Sequence, residues 1–119
     1  MNKNQETLQV IQKLIKLTDD GKCDWEETSQ NNQYKLLIGL TEIYVSYNKS
    51  LIKSYSFDIY DLHGSRVTSE NYVESDVSYQ EVERLYKSIL DFQTRKYKKK
   101  MREIGEQLDY LDKSQNVIA

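Results

Sequence analysis

The chain of 119 residues has no proline, one cysteine (Cys23), one histidine (His63) and four glycines (Gly21, Gly39, Gly64, Gly105). Each scarcity excludes something. Without proline there is no polyproline linker and no PxxP-type ligand. A single cysteine forms no intramolecular disulfide, fits a reducing compartment, and rules out zinc sites built on two to four thiolates. The lone histidine, beside Gly64, has no second histidine to share a metal and no visible partner for general-base work. The glycines stand apart from one another, so neither a phosphate-cradling P-loop nor a dinucleotide fingerprint can be written. No stretch approaches the ~20 apolar residues of a membrane span. The N-terminus leads into an amphipathic segment and not an apolar signal core. A cytoplasmic protein without a membrane partner is therefore expected.

What is present is charge and tyrosine. The charged fraction is 30% and the hydrophobic fraction 38%, toward the polar end for a folded chain. Ten tyrosines (34, 44, 47, 55, 60, 72, 79, 86, 97 and 110) offset this, because each brings a large apolar ring with a polar tip. A disordered chain would be poor in aromatic and β-branched residues, and this one is rich in both. The length suits one domain, since two halves would be too small to bury separate cores.

The net charge is only −2, but it is unevenly spread. Residues 1–94 carry 10 basic and 15 acidic side chains; residues 95–102 carry 6 basic and none acidic; residues 103–119 carry 1 basic and 4 acidic. A short cationic band thus lies between two acidic regions.

Hydrophobic periodicity outlines the fold. Leu8, Ile11, Leu14, Ile15 and Leu17 draw one stripe and predict a helix over Gln5–Leu17, stopped by Asp19-Asp20-Gly21. From Tyr34 the period changes to two: Tyr34, Leu36 and Ile38, then Ile43, Val45 and Tyr47, then Tyr55, Phe57 and Ile59. Leu62-His63-Gly64-Ser65 reads as a hairpin turn, followed by a short fourth strand from Arg66 to Ser69. Short connections favour an antiparallel meander. Ser78 and Glu81 have capping-box spacing, with Val77 and Val82 placed as a hydrophobic staple. They open a helix running from Tyr79 to about Asp112, which at 1.5 Å per residue spans ~50 Å. A helix longer than its domain must break, project or pack on something else.

Two stripes divide that helix. Val82, Leu85, Ile89 and Phe92 are assigned to the sheet. Tyr97, Met101, Ile104, Leu108 and Leu111 follow at spacings of 4, 3, 4 and 3, the a/d pattern of a coiled coil. The row is two heptads long and is interrupted by Gly105, so it marks a self-association candidate and not a firm coiled coil.

The candidate sites are few. The band Arg95, Lys96, Tyr97, Lys98, Lys99, Lys100, Met101, Arg102 has three readings: a solvated face complementing the acidic remainder, a contact for an acidic protein, or a phosphate contact with Tyr97 stacking on a base. Tyr44 and Tyr60 fall opposite the apolar strand positions and are expected on an exposed sheet face, suited to protein recognition. Trp25 is expected as a core anchor, the alternative being an exposed hot spot. Asp19, Asp20, Asp24, Glu26 and Glu27 lack the ligand spacing of a calcium loop and read as helix termination plus polar loop. Asp58 and Asp61, three apart on a strand, point to opposite faces and form no catalytic pair. Cys23 with His63 is the one thiol–imidazole pair the chain can offer, and nothing around either supports it.

The run Leu14-Ile15-Lys16-Leu17-Thr18-Asp19-Asp20-Gly21-Lys22-Cys23-Asp24-Trp25-Glu26-Glu27-Thr28, followed by strands and an Asp61…Gly64 hairpin, resembles a recurrent pattern of small, mostly uncharacterised bacterial and mobile-element proteins. In these a helix, a GKxxW turn and an antiparallel sheet follow one another. The resemblance covers about residues 8–70 and leaves out the long C-terminal helix. It implies a bacterial or phage origin and a cytoplasmic setting, and it carries over no catalytic residue.

The expected molecule is α+β: an N-terminal helix, a four-stranded antiparallel meander and a long C-terminal helix, both helices feeding one sheet face. Residues 1–119 form one domain, 1–94 its compact core and 95–119 a helix and tail able to project. The expected function is non-enzymatic protein binding, as a regulator, adaptor, inhibitor or immunity-like protein, without cofactor or metal. The alternative is a nucleic-acid-associated protein using the basic band, as a dimer joined through 97–111.

Overall fold

The computed structural model describes residues 3–118. The order is helix α1 (Lys3–Asp19), strands β1 (Glu26–Glu27), β2 (Gln33–Ile38), β3 (Thr41–Lys49), β4 (Lys53–Tyr60) and β5 (Arg66–Val73), then helix α2 (Tyr79–Ile118). The α+β class, the antiparallel sheet and the long C-terminal helix are as expected. The sheet, however, has five strands in the order β1-β2-β3-β4-β5, not four. The additional strand is two exposed glutamates, Glu26 and Glu27, pairing with Lys35 and Tyr34. So short and acidic a segment has no alternation to read, and it suits a sheet edge that must not recruit another chain.

The helix α1 ends as its sequence dictates. Gly21 takes a φ of +75°, its N–H reaches the Thr18 carbonyl at 3.0 Å, and the Lys22 N–H reaches Leu17 at 2.9 Å. This doubly bonded left-handed termination is open to glycine at little cost. The buried face runs through Thr7, Ile11, Leu14, Ile15 and Thr18, while Leu17, expected in the stripe, is exposed. Position 18 lies two full turns from Ile11, so geometry puts a threonine where hydropathy alone would seek a leucine.

Every strand pair is antiparallel. The two-residue β2–β3 loop has Gly39 at its first central position with φ +62°. In the β4–β5 turn Asp61 Oδ1 accepts the N–H groups of His63 and Ser65 at 2.9 and 3.0 Å, with Gly64 at φ +77°. The register aligns Tyr34, Val45 and Phe57 in one row, Leu36, Ile43 and Ile59 in the next, and Tyr47, Tyr55 and Tyr72 in a third. These rows form the inner face. Strand β5 continues four residues past the expected Ser69, which brings Tyr72 into the core.

Both helices lie on that face, side by side and running in the same direction. Gln5 and Leu8 lie near Val77 and Ser78, while at the other end Arg95 Nη2 approaches the Thr18 carbonyl at 3.5 Å. The helix α2 starts at Tyr79, as the Ser78–Glu81 spacing predicts, but Val77 is almost fully exposed and no staple forms. Val82 packs instead into the core with Leu85, Tyr86 and Ile89. Five tyrosines join the layers: Tyr86 stands 5.9 Å from Tyr34, 5.8 Å from Tyr47 and 5.4 Å from Tyr55, ring centre to ring centre, and Tyr55 stands 5.4 Å from Tyr79. Trp25 is wholly buried, as an anchor should be, and its indole Nε1 donates to Thr18 Oγ1 at 2.9 Å.

The helix α2 neither breaks nor folds back. It runs to Ile118, six residues beyond the expected end, and the molecule measures 70 × 34 × 25 Å. Its radius of gyration, 18.7 Å, exceeds the roughly 13–14 Å of a compact chain this long. Among the described residues no helix is long and apolar enough to cross a membrane.

Two consequences are measurable. Thr18→Val strands the buried indole N–H, so unfolding in urea should show a loss of about 1–3 kcal/mol; a loss below about 0.5 kcal/mol would mean the indole finds another acceptor. Burial, with acidic or tyrosine neighbours, pushes the phenols of Tyr72 and Tyr86 up to about 12, and that of Tyr55 higher. The folded state then holds protons that the unfolded chain releases near pH 10, so stability is intact below pH 10 and falls as pH rises toward 12. Urea midpoints measured across that range should drop.

Candidate functional site

The helix α2 has two halves of different character. Up to Lys96 it packs on the domain; from Tyr97 to Lys113 every residue is exposed except Gly105, which is half-buried. The boundary is built from side chains. Gln93 Nε2 donates to the Trp25 carbonyl at 2.6 Å, and Lys96 Nζ reaches Asp24 Oδ1 at 2.8 Å and the same carbonyl at 3.4 Å. Lys96 also lies 5.9 Å from the centre of the Phe92 ring. Arg95 pairs with Asp91 at 3.2 Å.

The cationic band is therefore not one site. Arg95 and Lys96 belong to the fold. Lys98, Lys99, Lys100 and Arg102 are exposed on the projecting half and have no ion-pair partner among the described residues. Periodicity could not make this division, because Asp24 and Lys96 are far apart in sequence.

Along the same projecting half, Tyr97, Met101, Ile104, Leu108 and Leu111 are 46–65% exposed. Covered only by their own helix, they make an apolar strip roughly 20 Å long at 1.5 Å per residue. Leu90, seven residues before Tyr97 and also exposed, extends the row toward the domain. Its place on the packed half hid it from a reading by stripes.

Tyr44 and Tyr60 lie elsewhere, on the outer face of the sheet that no helix covers. Their rings meet edge to face at 5.8 Å and both are half-buried. With Gln30, Gln33, Glu42, Asp58 and Gly64 they line a shallow concavity of about 350 Å³. Tyr44 Oη donates to Glu42 Oε1 at 3.2 Å, and burial together with that carboxylate raises the Tyr44 phenol. Asp58 accepts from the Ser69 hydroxyl, and Asn48, Ser56 and Asn71 hydrogen-bond across β3, β4 and β5. The polar side chains of this face are largely spent on one another.

The remaining candidates do not converge. Cys23 is buried beside Thr18, and that burial pushes its thiol up, away from the thiolate a nucleophile needs. His63 is exposed at the tip of the β4–β5 turn. Asp61 serves that turn, Asp58 the outer face, and Asp24 the ion pair with Lys96. Among the described residues no three His, Cys, Asp or Glu side chains gather to hold a metal ion.

Compared with protein-family models, curated proteins and solved structures, the chain finds no match.

The split of the band is open to test. Lys98→Glu, Lys99→Glu and Lys100→Glu together should leave the urea unfolding free energy within about 0.5 kcal/mol of the parent. Lys96→Ala alone should cost on the order of 1 kcal/mol, through a partly exposed ion pair and the packing of its stem. A reversed order of these two effects would show that the division is misplaced.

Proposed function

We propose that this chain is a non-enzymatic protein-binding module, acting as a regulator, adaptor, inhibitor or immunity-like protein, and that it engages its partner through the projecting half of α2. The observation that carries this reading is the uncovered apolar row from Tyr97 to Leu111, on a helix anchored at one end by Trp25, Gln93 and Lys96. Apolar side chains aligned at heptad spacing on a free helix are the ordinary means by which one helix recognises another. The outer sheet face supports the reading less, since Tyr44 and Tyr60 pack on each other and their neighbours are mutually satisfied. The buried Cys23 and the isolated His63 support the non-enzymatic part. A cytoplasmic setting in a bacterial or phage system rests on the single thiol and the GKxxW resemblance.

The second reading is nucleic-acid binding through Lys98, Lys99, Lys100 and Arg102, which stand exposed without ion-pair partners among the described residues. The acidic remainder of the chain weighs against it, because phosphate recognition depends on the summed field.

Capture from host lysate distinguishes the two. A protein retained by the parent after nuclease treatment, but lost on Ile104→Asp with Leu108→Asp, supports the proposal. Capture that disappears with nuclease replaces it with the second reading.

A further inference from the structure

We infer that the partner of the projecting helix is a second copy of the same helix, paired antiparallel about a two-fold axis near Glu106. This rests on the protein-binding reading and names the occupant of the seam. If Met101 and Leu108 are written as a positions and Tyr97, Ile104 and Leu111 as d positions, the flanks of the seam follow. One flank carries Lys98, Gly105 and Asp112; the other carries Lys100, Gln107 and Ser114.

Reversing one copy against the other turns each flank onto itself. The first flank then sets Lys98 against Asp112 of the second copy, Gly105 against Gly105, and Asp112 against Lys98. The second sets Lys100 against Ser114 and Gln107 against Gln107. Inside, Met101 meets Leu111 and Ile104 meets Leu108. No like charges meet on either flank, and two opposite-charge pairs form. A parallel pair would set Lys100 against Gly105 and Gln107 against Asp112, forming none, while stacking the cationic bands and the acidic stretches Glu103–Asp112 in register. Charge complementarity at the flanks is what selects orientation in such helix pairs.

Gly105 points the same way by a separate route. A glycine weakens a helix interior, and a side chain added at Gly105 meets nothing within 4 Å in the single chain. Intrachain packing thus gives no reason for a glycine here, whereas the antiparallel pair brings Gly105 against its own copy at the axis, where the backbones approach.

The size also fits. Five side chains, each about half exposed, offer on the order of 100 Å² apiece, so two copies bury on the order of 1,000 Å², at the lower edge of specific interfaces. A reversible, concentration-dependent dimer is the consequence, with its two globular bodies at opposite ends of the pair.

Sedimentation of the full chain over a wide concentration range tests this. The parent should pass from monomer to dimer, and Ile104→Asp should raise the dissociation constant more than tenfold without altering the urea midpoint of the domain. Lys98→Asp should weaken the dimer severalfold, and the double exchange Lys98→Asp with Asp112→Lys should restore it. A dimer indifferent to Lys98→Asp, or not restored by the exchange, overturns the antiparallel arrangement. A chain that stays monomeric throughout, yet captures a foreign protein through Ile104, overturns self-pairing and leaves the protein-binding reading standing.

Discussion

The backbone carbonyl of Trp25 holds the architecture together. Its indole is wholly buried and donates to Thr18 at the end of α1, while its carbonyl receives Gln93 and Lys96 of α2. One residue thus joins both helices to the start of the sheet. The buried ring supplies a large apolar area, and the two bonds to the carbonyl define the turn at which α2 leaves the domain. The Lys96–Asp24 pair and the approach of Arg95 to the Thr18 carbonyl reinforce the same boundary. With them, the direction of the projecting half is set by the core.

That anchoring also explains how the projecting half holds its form. Isolated helices are marginal in water because the first turn is costly to nucleate. Here the first turns of α2 are held by the core through Val82, Leu85 and Ile89, so the projecting half continues a helix already fixed in place. No proline interrupts it, and Gly105 is its one weak residue. A charged arm with few tertiary contacts can therefore remain helical, although half of its length contributes nothing to burial.

Much of this was legible in the sequence, for reasons that differ by element. The helices show a period of 3.6 and β2, β3 and β4 a period of 2, whereas β5 is legible only as the continuation of the turn before it, and Gly21 and Gly64 punctuate the elements where left-handed backbone is needed. Strand β1 was not legible, because two exposed glutamates carry no period. Hydropathy does not single out Thr18 as a core residue, because its hydroxyl is satisfied there by the hydrogen bond from Trp25. The spacing of Val77 and Val82 predicts a staple that the chain does not form, since Val82 packs inside and Val77 stays exposed. At the candidate site, the a/d row was plain, but Arg95 and Lys96 looked like the rest of the band until distant residues claimed them.

The tyrosines show how fold and contact have been kept apart. Beside the isoleucines, leucines and valines of the core, Tyr34, Tyr47, Tyr55, Tyr79 and Tyr86 close the space between sheet and helix. Because none of the side chains from Met101 to Leu111 reaches the core, the seam can change its flanking charges, and with them its partner, without altering the forces that fold the domain. A contact surface carried on an anchored but otherwise unpacked helix is free to vary in specificity while the Trp25 anchor keeps its geometry constant.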